Sequence, residues 1–444
     1  MSRKPTYLPK KRRRRKVRYQ VLIPFLILCA LVLYAPFAAY QTFWKKKPVD
    51  TSYAVCELTP KKSKELLAKQ PEQEQVYEIQ DHVFYGEHLG LYANPYEKGA
   101  ADPLVNKSIS FRNLCTDESF VYMIGSDLDK KIPLYELTKG IYEVYISSLM
   151  KEDRIYSSEP LLDSFYTITR GGINHKITLI ANQKLFYEDD PEFALDRPYL
   201  FVEVKEEALP EDYYDIIVDP GHNSYDEGPL VERGHAQNGL IEAEENMKAS
   251  LVMKEALEAA GLKVKLAREG DAVVNTYGAG GRVEMVFKHH AKYYISNHLN
   301  SADAKSAKGS EVFYSSYTSS TLADSILQAI TSDSTLKAVG KSVKSPRTKD
   351  GNKAIKAGYD GYMMIREPGG LGLGAGELSE KAQTENAPFI TGTNYGAQAV
   401  LIEYLYMSNA DEAKKWKANY EGYVKAAAQG IIDYLKLDIN TPAE

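Results

Sequence analysis

"DIIVDPGHNSYDEG" runs from Asp215 to Gly228, and its reading decides the fold of the second half of the chain. The apolar run Ile216-Ile217-Val218 stops in Asp219-Pro220-Gly221, and His222 follows at once. A β-branched run closed by Pro-Gly predicts a buried strand ending in a tight turn. Gly221 is expected to let the backbone turn and Pro220 to fix its approach. The turn carries an imidazole to the strand's C-terminal tip.

Downstream the pattern alternates. "EAEENMKASLVMKEALEAAG" predicts a helix closed by Gly261, and "LKVKLARE" a strand. "GRVEMVFKHHA" reads as helix, "KYYISNH" and "GSEVFYSS" as strands, and "STLADSILQAITSD" as helix. "AQAVLIEYLYMS" is a further strand, and the segment from Asp411 to Lys436 is a long closing helix with room for one break. Strands alternating with helices predict an α/β domain over 211–438, a layered mixed or parallel sheet flanked by helices. Sites in such domains form beyond the strand ends. Three polar residues stand in or at the end of apolar strands: His222, His298 in "YYISNHLNS", and Glu403 in "AVLIEYLYMSN". A titratable group there is costly unless partnered. Glu242, Glu244 and Glu245 open the first long helix. Two histidines and a carboxylate make the donor set of a catalytic zinc site, and a second carboxylate nearby can take a proton from water. The plain alternative is a turn with a capping His222, a surface His298 and a stray Glu403.

"IIVDPGH", "IEAEENM", "ISNHLNS" and "VLIEYLYMSN", in this order, closely resemble the motifs of the zinc-dependent N-acetylmuramoyl-L-alanine amidases of the Amidase_3 type. "LAREGD" and "GGRVEM" resemble linking pieces of the same family, and the similarity covers about Tyr213 to Lys436. The resemblance implies one zinc per chain, held by His222, Glu242 and His298, with Glu244 the fallback for the carboxylate. It implies Glu403 as the general base for zinc-activated water. The bond cut would be the amide between N-acetylmuramic acid and L-alanine of peptidoglycan. Asp219 would orient His222 or cap the turn, while Asn300 and Arg282 would support the site or only the fold. His235, His289 and His290 read as non-ligands. The sequence departs from the family pattern at Asn223-Ser224, where two glycines are usual. Competing readings are a non-catalytic peptidoglycan-binding or regulatory protein that keeps the fold, and a different zinc peptidase.

The first half is organised differently. Short runs such as "KSISFRNL", "GIYEVYISS" and "HKITLIANQKLFY", rich in Val, Ile, Tyr, Phe and Thr, predict an all-β, sandwich-like domain over 75–206. It is expected to be a spacer or to bind wall polymer or an envelope partner; His82, His88 and His175 read as structural. An acidic hinge, "EEALPEDYYD", leads out of it.

The net charge of −5 hides an asymmetry. The first 47 residues hold 13 Lys and Arg and no Asp or Glu, leaving 42 basic and 60 acidic residues beyond them. That acidic remainder argues against a nucleic-acid partner. Residues 1–18 form a basic tail, and 19–44 are uncharged and long enough for a membrane-spanning anchor. The basic bias predicts a single-pass protein with a cytoplasmic N-terminus and an extracytoplasmic catalytic domain. Residues 45–74 read as a connector. Cys56 and Cys115 would lie where a disulfide is allowed. The glycine-rich stretch 367–396 is a candidate gate, since it leads directly into the strand bearing Glu403.

Overall fold

The computed structural model describes residues 77–437 apart from 94–102, 115, 148–151, 182–196, 227, 333–334, 345–359, 370–384, 386 and 391–392. The expected anchor at 19–44, the connector and the cysteines lie outside these residues, as does most of the candidate gate. Among the described residues no helix is long and apolar enough to cross a membrane.

The strand read from the opening stretch is Ile216–Pro220, here β1. It lies between Val264–Leu266 (β2) and Tyr293–Asn300 (β3). Beyond β3 come Gln398–Tyr406, Glu311–Tyr314 and Val343–Lys344, named β6, β4 and β5 in chain order. The spatial order is therefore β2-β1-β3-β6-β4-β5. The first four are mutually parallel, while β4 meets β6 antiparallel, so the sheet is mixed.

Side chains alternate across a sheet with a period of two. Ile216, Val218, Tyr293, Ile295, Val400 and Ile402 share one apolar core with the helices Glu242–Ala259 (α1), Thr321–Thr331 (α2) and Ala410–Leu435 (α3). The acidic first turn of α1 suits the positive end of its dipole, and a left-handed Gly261 lies just past its end. Asn409 caps α3 by accepting from the Asp411 and Glu412 N–H groups, and the expected break falls at Asn419.

Ile217, Tyr294 and Ala399 face the other way, into a second core. It contains the helix Arg282–Lys288 and much of the β-rich module. That module has an eight-stranded sheet and a four-stranded one, with Phe84 of the second stacked on Phe165 of the first at 5.0 Å. The smaller sheet includes a strand from outside 75–206. Tyr395–Gly396, just before β6, pairs in parallel with Asp81–Tyr85. Phe84 N–H donates to Asn394 O at 2.7 Å, and Gly86 N–H to Gly396 O at 2.9 Å. The module thus covers one face of the six-stranded sheet and grips the approach to the strand that carries Glu403. Residues 55–444 cluster as one unit.

Candidate metal centre and active site

Registry decides which side chains meet. His298 of β3 stands opposite Glu403 of β6, and Glu403 stands opposite Glu311 of β4. The β3–β6 register then slips between His298 and Asn300, a bulge at the place where the sheet opens into a cavity. His222 lies two residues beyond β1, and Glu242 is the first residue of α1. The four converge on a cavity of about 370 Å³.

His222 Nε2 lies 2.8 Å from Glu242 Oε1, and His298 Nδ1 lies 3.1 Å from the same oxygen. The three donor atoms fall within 4.8 Å of one another. Glu242 Oε2 accepts the His235 backbone N–H at 3.0 Å, which leaves Oε1 for the two imidazoles. Glu244 is elsewhere: its half-exposed carboxylate pairs with Arg233. His235 contributes its backbone while its ring does not join the cluster. His289 Nδ1 lies 2.7 Å from Asp212 O, and His290 stacks on Tyr213 at 4.0 Å, both remote from the cavity.

Glu403 is partly exposed as a residue, but its Oε2 is buried and has no hydrogen-bond partner. Burial and then the negative charge of Glu242 push its carboxyl well above the usual range, against an opposing pull from His222. Glu242 shows the reverse. Burial would raise it, but hydrogen bonds from His222 and His298 hold it far below the usual range. Burial opposes protonation of His222, yet its hydrogen bonds to Glu232 and Glu242 outweigh that and raise the imidazolium to about 10. The cluster therefore stabilises positive charge. Two imidazole nitrogens, one carboxylate oxygen tethered through its other oxygen, and an unsatisfied carboxylate alongside fit a divalent metal with N/O preference such as zinc.

The turn that presents His222 is not built as the sequence suggested. Gly221 has no left-handed backbone; what it supplies is space, because a Cβ there would run into the His298 ring. The left-handed residues are His222, at φ 67°, and Asn223, at φ 64°. Asn and His enter that region more readily than most side chains, yet holding either residue there costs about 1–3 kcal/mol. Two arginines do the holding. Arg282 donates to Pro220 O at 2.9 Å and to His222 O, and it pairs with the buried Asp219. Arg268 donates to Pro220 O at 2.9 Å and to Gly221 O at 3.3 Å. Asp219 also accepts from Ser296 Oγ at 2.7 Å. Burial raises its carboxyl, but the Arg282 charge prevails and lowers it. So Asp219 acts on the turn through Arg282. Asn300 donates to Glu311 at 2.9 Å, beside Glu403. Arg268 and Glu232 were not singled out in the sequence. Arg268 stands in "LAREGD", a motif-like piece, whereas nothing local marks Glu232.

The fold and site define an α/β layer with a candidate metal-hydrolase centre at its strand ends. Residues 216–434 match the Amidase_3 family model, described as N-acetylmuramoyl-L-alanine amidase. It is 24% identical over 229 residues to the N-acetylmuramoyl-L-alanine amidase AmiA of Escherichia coli, spanning 49% of this chain and 75% of that protein. The Salmonella typhimurium AmiA is 25% identical over 241 residues, with the same coverage. Among solved structures, the amidase AmiC2 of Nostoc punctiforme aligns at 21% identity over 50% of this chain and 96% of that one, with a TM-score of 0.36.

Proposed function

We propose that this chain is a membrane-anchored peptidoglycan hydrolase that cleaves the amide between N-acetylmuramic acid and L-alanine. His222 Nε2, Glu242 Oε1 and His298 Nδ1 would hold one zinc ion. The observation that carries this reading is the convergence of these three donors with the unpartnered Glu403 Oε2 in one cavity. The family match and the AmiA relatives support the substrate class. The uncharged segment 19–44, with its basic N-terminal flank, supports an anchor and an extracytoplasmic active site.

When bound, zinc would polarise the scissile carbonyl and lower the pKa of an attacking water. The chain's own groups do the rest. Glu403 accepts the proton of that water on Oε2 and returns it to the leaving amine of L-alanine. Its raised pKa reflects burial and the neighbouring Glu242 charge; a bound cation would favour the ionised base. Tyr362, Met363 and Met364 also line the cavity.

The test uses the purified full-length chain on isolated cell walls. The expected products are stem peptides with free L-alanine amino termini, with about one zinc per chain. Release of any other new terminus would identify a different peptidase. Turnover that survives Glu403→Ala would remove Glu403 as the base.

A further inference from the structure

We propose that Glu232 is a positioning residue for the metal ligand His222. The proposal rests on the reading of His222, Glu242 and His298 as a metal site, and it adds a residue that neither the family match nor the four motifs mark.

His222 offers one ring nitrogen to the cluster and the other to Glu232. Its Nε2 faces Glu242 at 2.8 Å, while its Nδ1 lies 2.7 Å from Glu232 Oε2. A neutral imidazole that ligates through one nitrogen carries its hydrogen on the other, and a carboxylate there fixes tautomer and ring orientation and makes the ligand more basic. Glu232 is itself held at several points. Its Oε1 accepts the Gly234 N–H at 2.6 Å. Its backbone N–H donates to Ser224 O at 2.8 Å, and its carbonyl accepts from Asn223 N–H at 2.7 Å. Ser224 and Glu232 thus form an isolated antiparallel bridge.

This gives a role to the pair that departs from the family pattern. Asn223 takes a left-handed backbone, a region open to glycine. It adds side-chain hydrogen bonds to Asp271 O at 2.9 Å and Ala272 O at 2.8 Å. Asn223 and Ser224 pin the strand-like return on which Glu232 sits. Gly234 completes the approach, since a Cβ there would crowd Glu242 Oε2 and the His222 ring.

The experiment measures zinc affinity of the full-length chain by competition with a chromophoric chelator, without substrate, and the visible spectrum of the cobalt-substituted protein. Wild type, Glu232→Gln, Glu232→Ala and, as a control on the same surface, Glu244→Ala are compared. Glu232→Ala is expected to weaken zinc binding about 10–100-fold. Glu232→Gln, which keeps an acceptor for Nδ1–H, should lose less, and Glu244→Ala should bind as wild type. The cobalt spectrum should shift in Glu232→Ala and stay as wild type in Glu244→Ala. Zinc affinity within twofold of wild type and an unshifted spectrum in both Glu232 variants would overturn the role of Glu232. A wild-type chain that binds no zinc would instead overturn the metal-site reading beneath it.

Discussion

Two carboxylates, Glu403 and Glu87, are treated in opposite ways. Glu87, in the β-rich module, is fully buried and fully satisfied. Arg170 grips both its oxygens at 2.8 and 2.6 Å, Ile168 N–H donates at 2.9 Å, and Tyr293 of β3 donates its hydroxyl at 3.3 Å. Arg170 also reaches Leu435 O at the end of α3, so this cluster ties module, sheet and closing helix together. Burial would raise the Glu87 carboxyl, but Arg170 outweighs it and lowers it. Glu403 has the opposite balance: a buried oxygen without a partner and a raised pKa. A seam uses buried charge with every bond made. A reactive site leaves a bond unmade, because the missing partner is the proton to be moved.

Exchanging the two roles by mutation should therefore give opposite outcomes. Glu403→Gln is expected to lower turnover by about 10²–10⁴-fold with the melting temperature preserved, read by wall hydrolysis and calorimetry side by side. Glu87→Ala should instead cost about 3–5 kcal/mol by denaturant unfolding, because it strands the Arg170 charge. Its hydrolysis per folded molecule should stay near wild type. The Glu87 contribution is present above the ordinary carboxylate pKa of about 4.5 and is lost as pH falls through the lowered folded value. The acid limb of a stability–pH profile should accordingly flatten in Glu87→Gln.

Lys292 sharpens the comparison from the basic side. It is buried where module and sheet meet, and its Nζ donates only to His290 O, at 2.7 Å, among the described contacts. Burial lowers its pKa to about 8. Below pH 8 both folded and unfolded chains carry the charge, and burying it costs stability. Between about 8 and 10.5 the unfolded chain holds more protons, so stability rises with pH. Lys292→Met should thus stabilise at pH 7 by up to about 3 kcal/mol, an advantage that shrinks above pH 8. Asn223→Gly should have the smallest effect, within about 1 kcal/mol, because the left-handed backbone is kept while two side-chain hydrogen bonds are lost.

What the sequence made legible follows the same division. The catalytic strands and helices showed through hydrophobic periodicity, and the site residues through four motifs in order, since each stands in or beside a strongly patterned element. The stitch at Tyr395–Gly396 has no such signature: two residues cannot show a period. Glu87 lies in a turn between two strands, and its burial is set by Arg170 and Tyr293, far away in the chain. Gly221 stands among turn residues and so suggests a turn-former, whereas its reason is the His298 ring from another strand. Arg268 acts on backbone carbonyls, and such contacts leave no complementary residue type to find.

The most direct test measures zinc content and wall hydrolysis together on the full-length chain, for wild type and Glu403→Gln. The expected result is about one zinc in each, with free L-alanine amino termini released by wild type alone. Hydrolysis persisting in Glu403→Gln, or wild-type hydrolysis by a chain without metal, would contradict it.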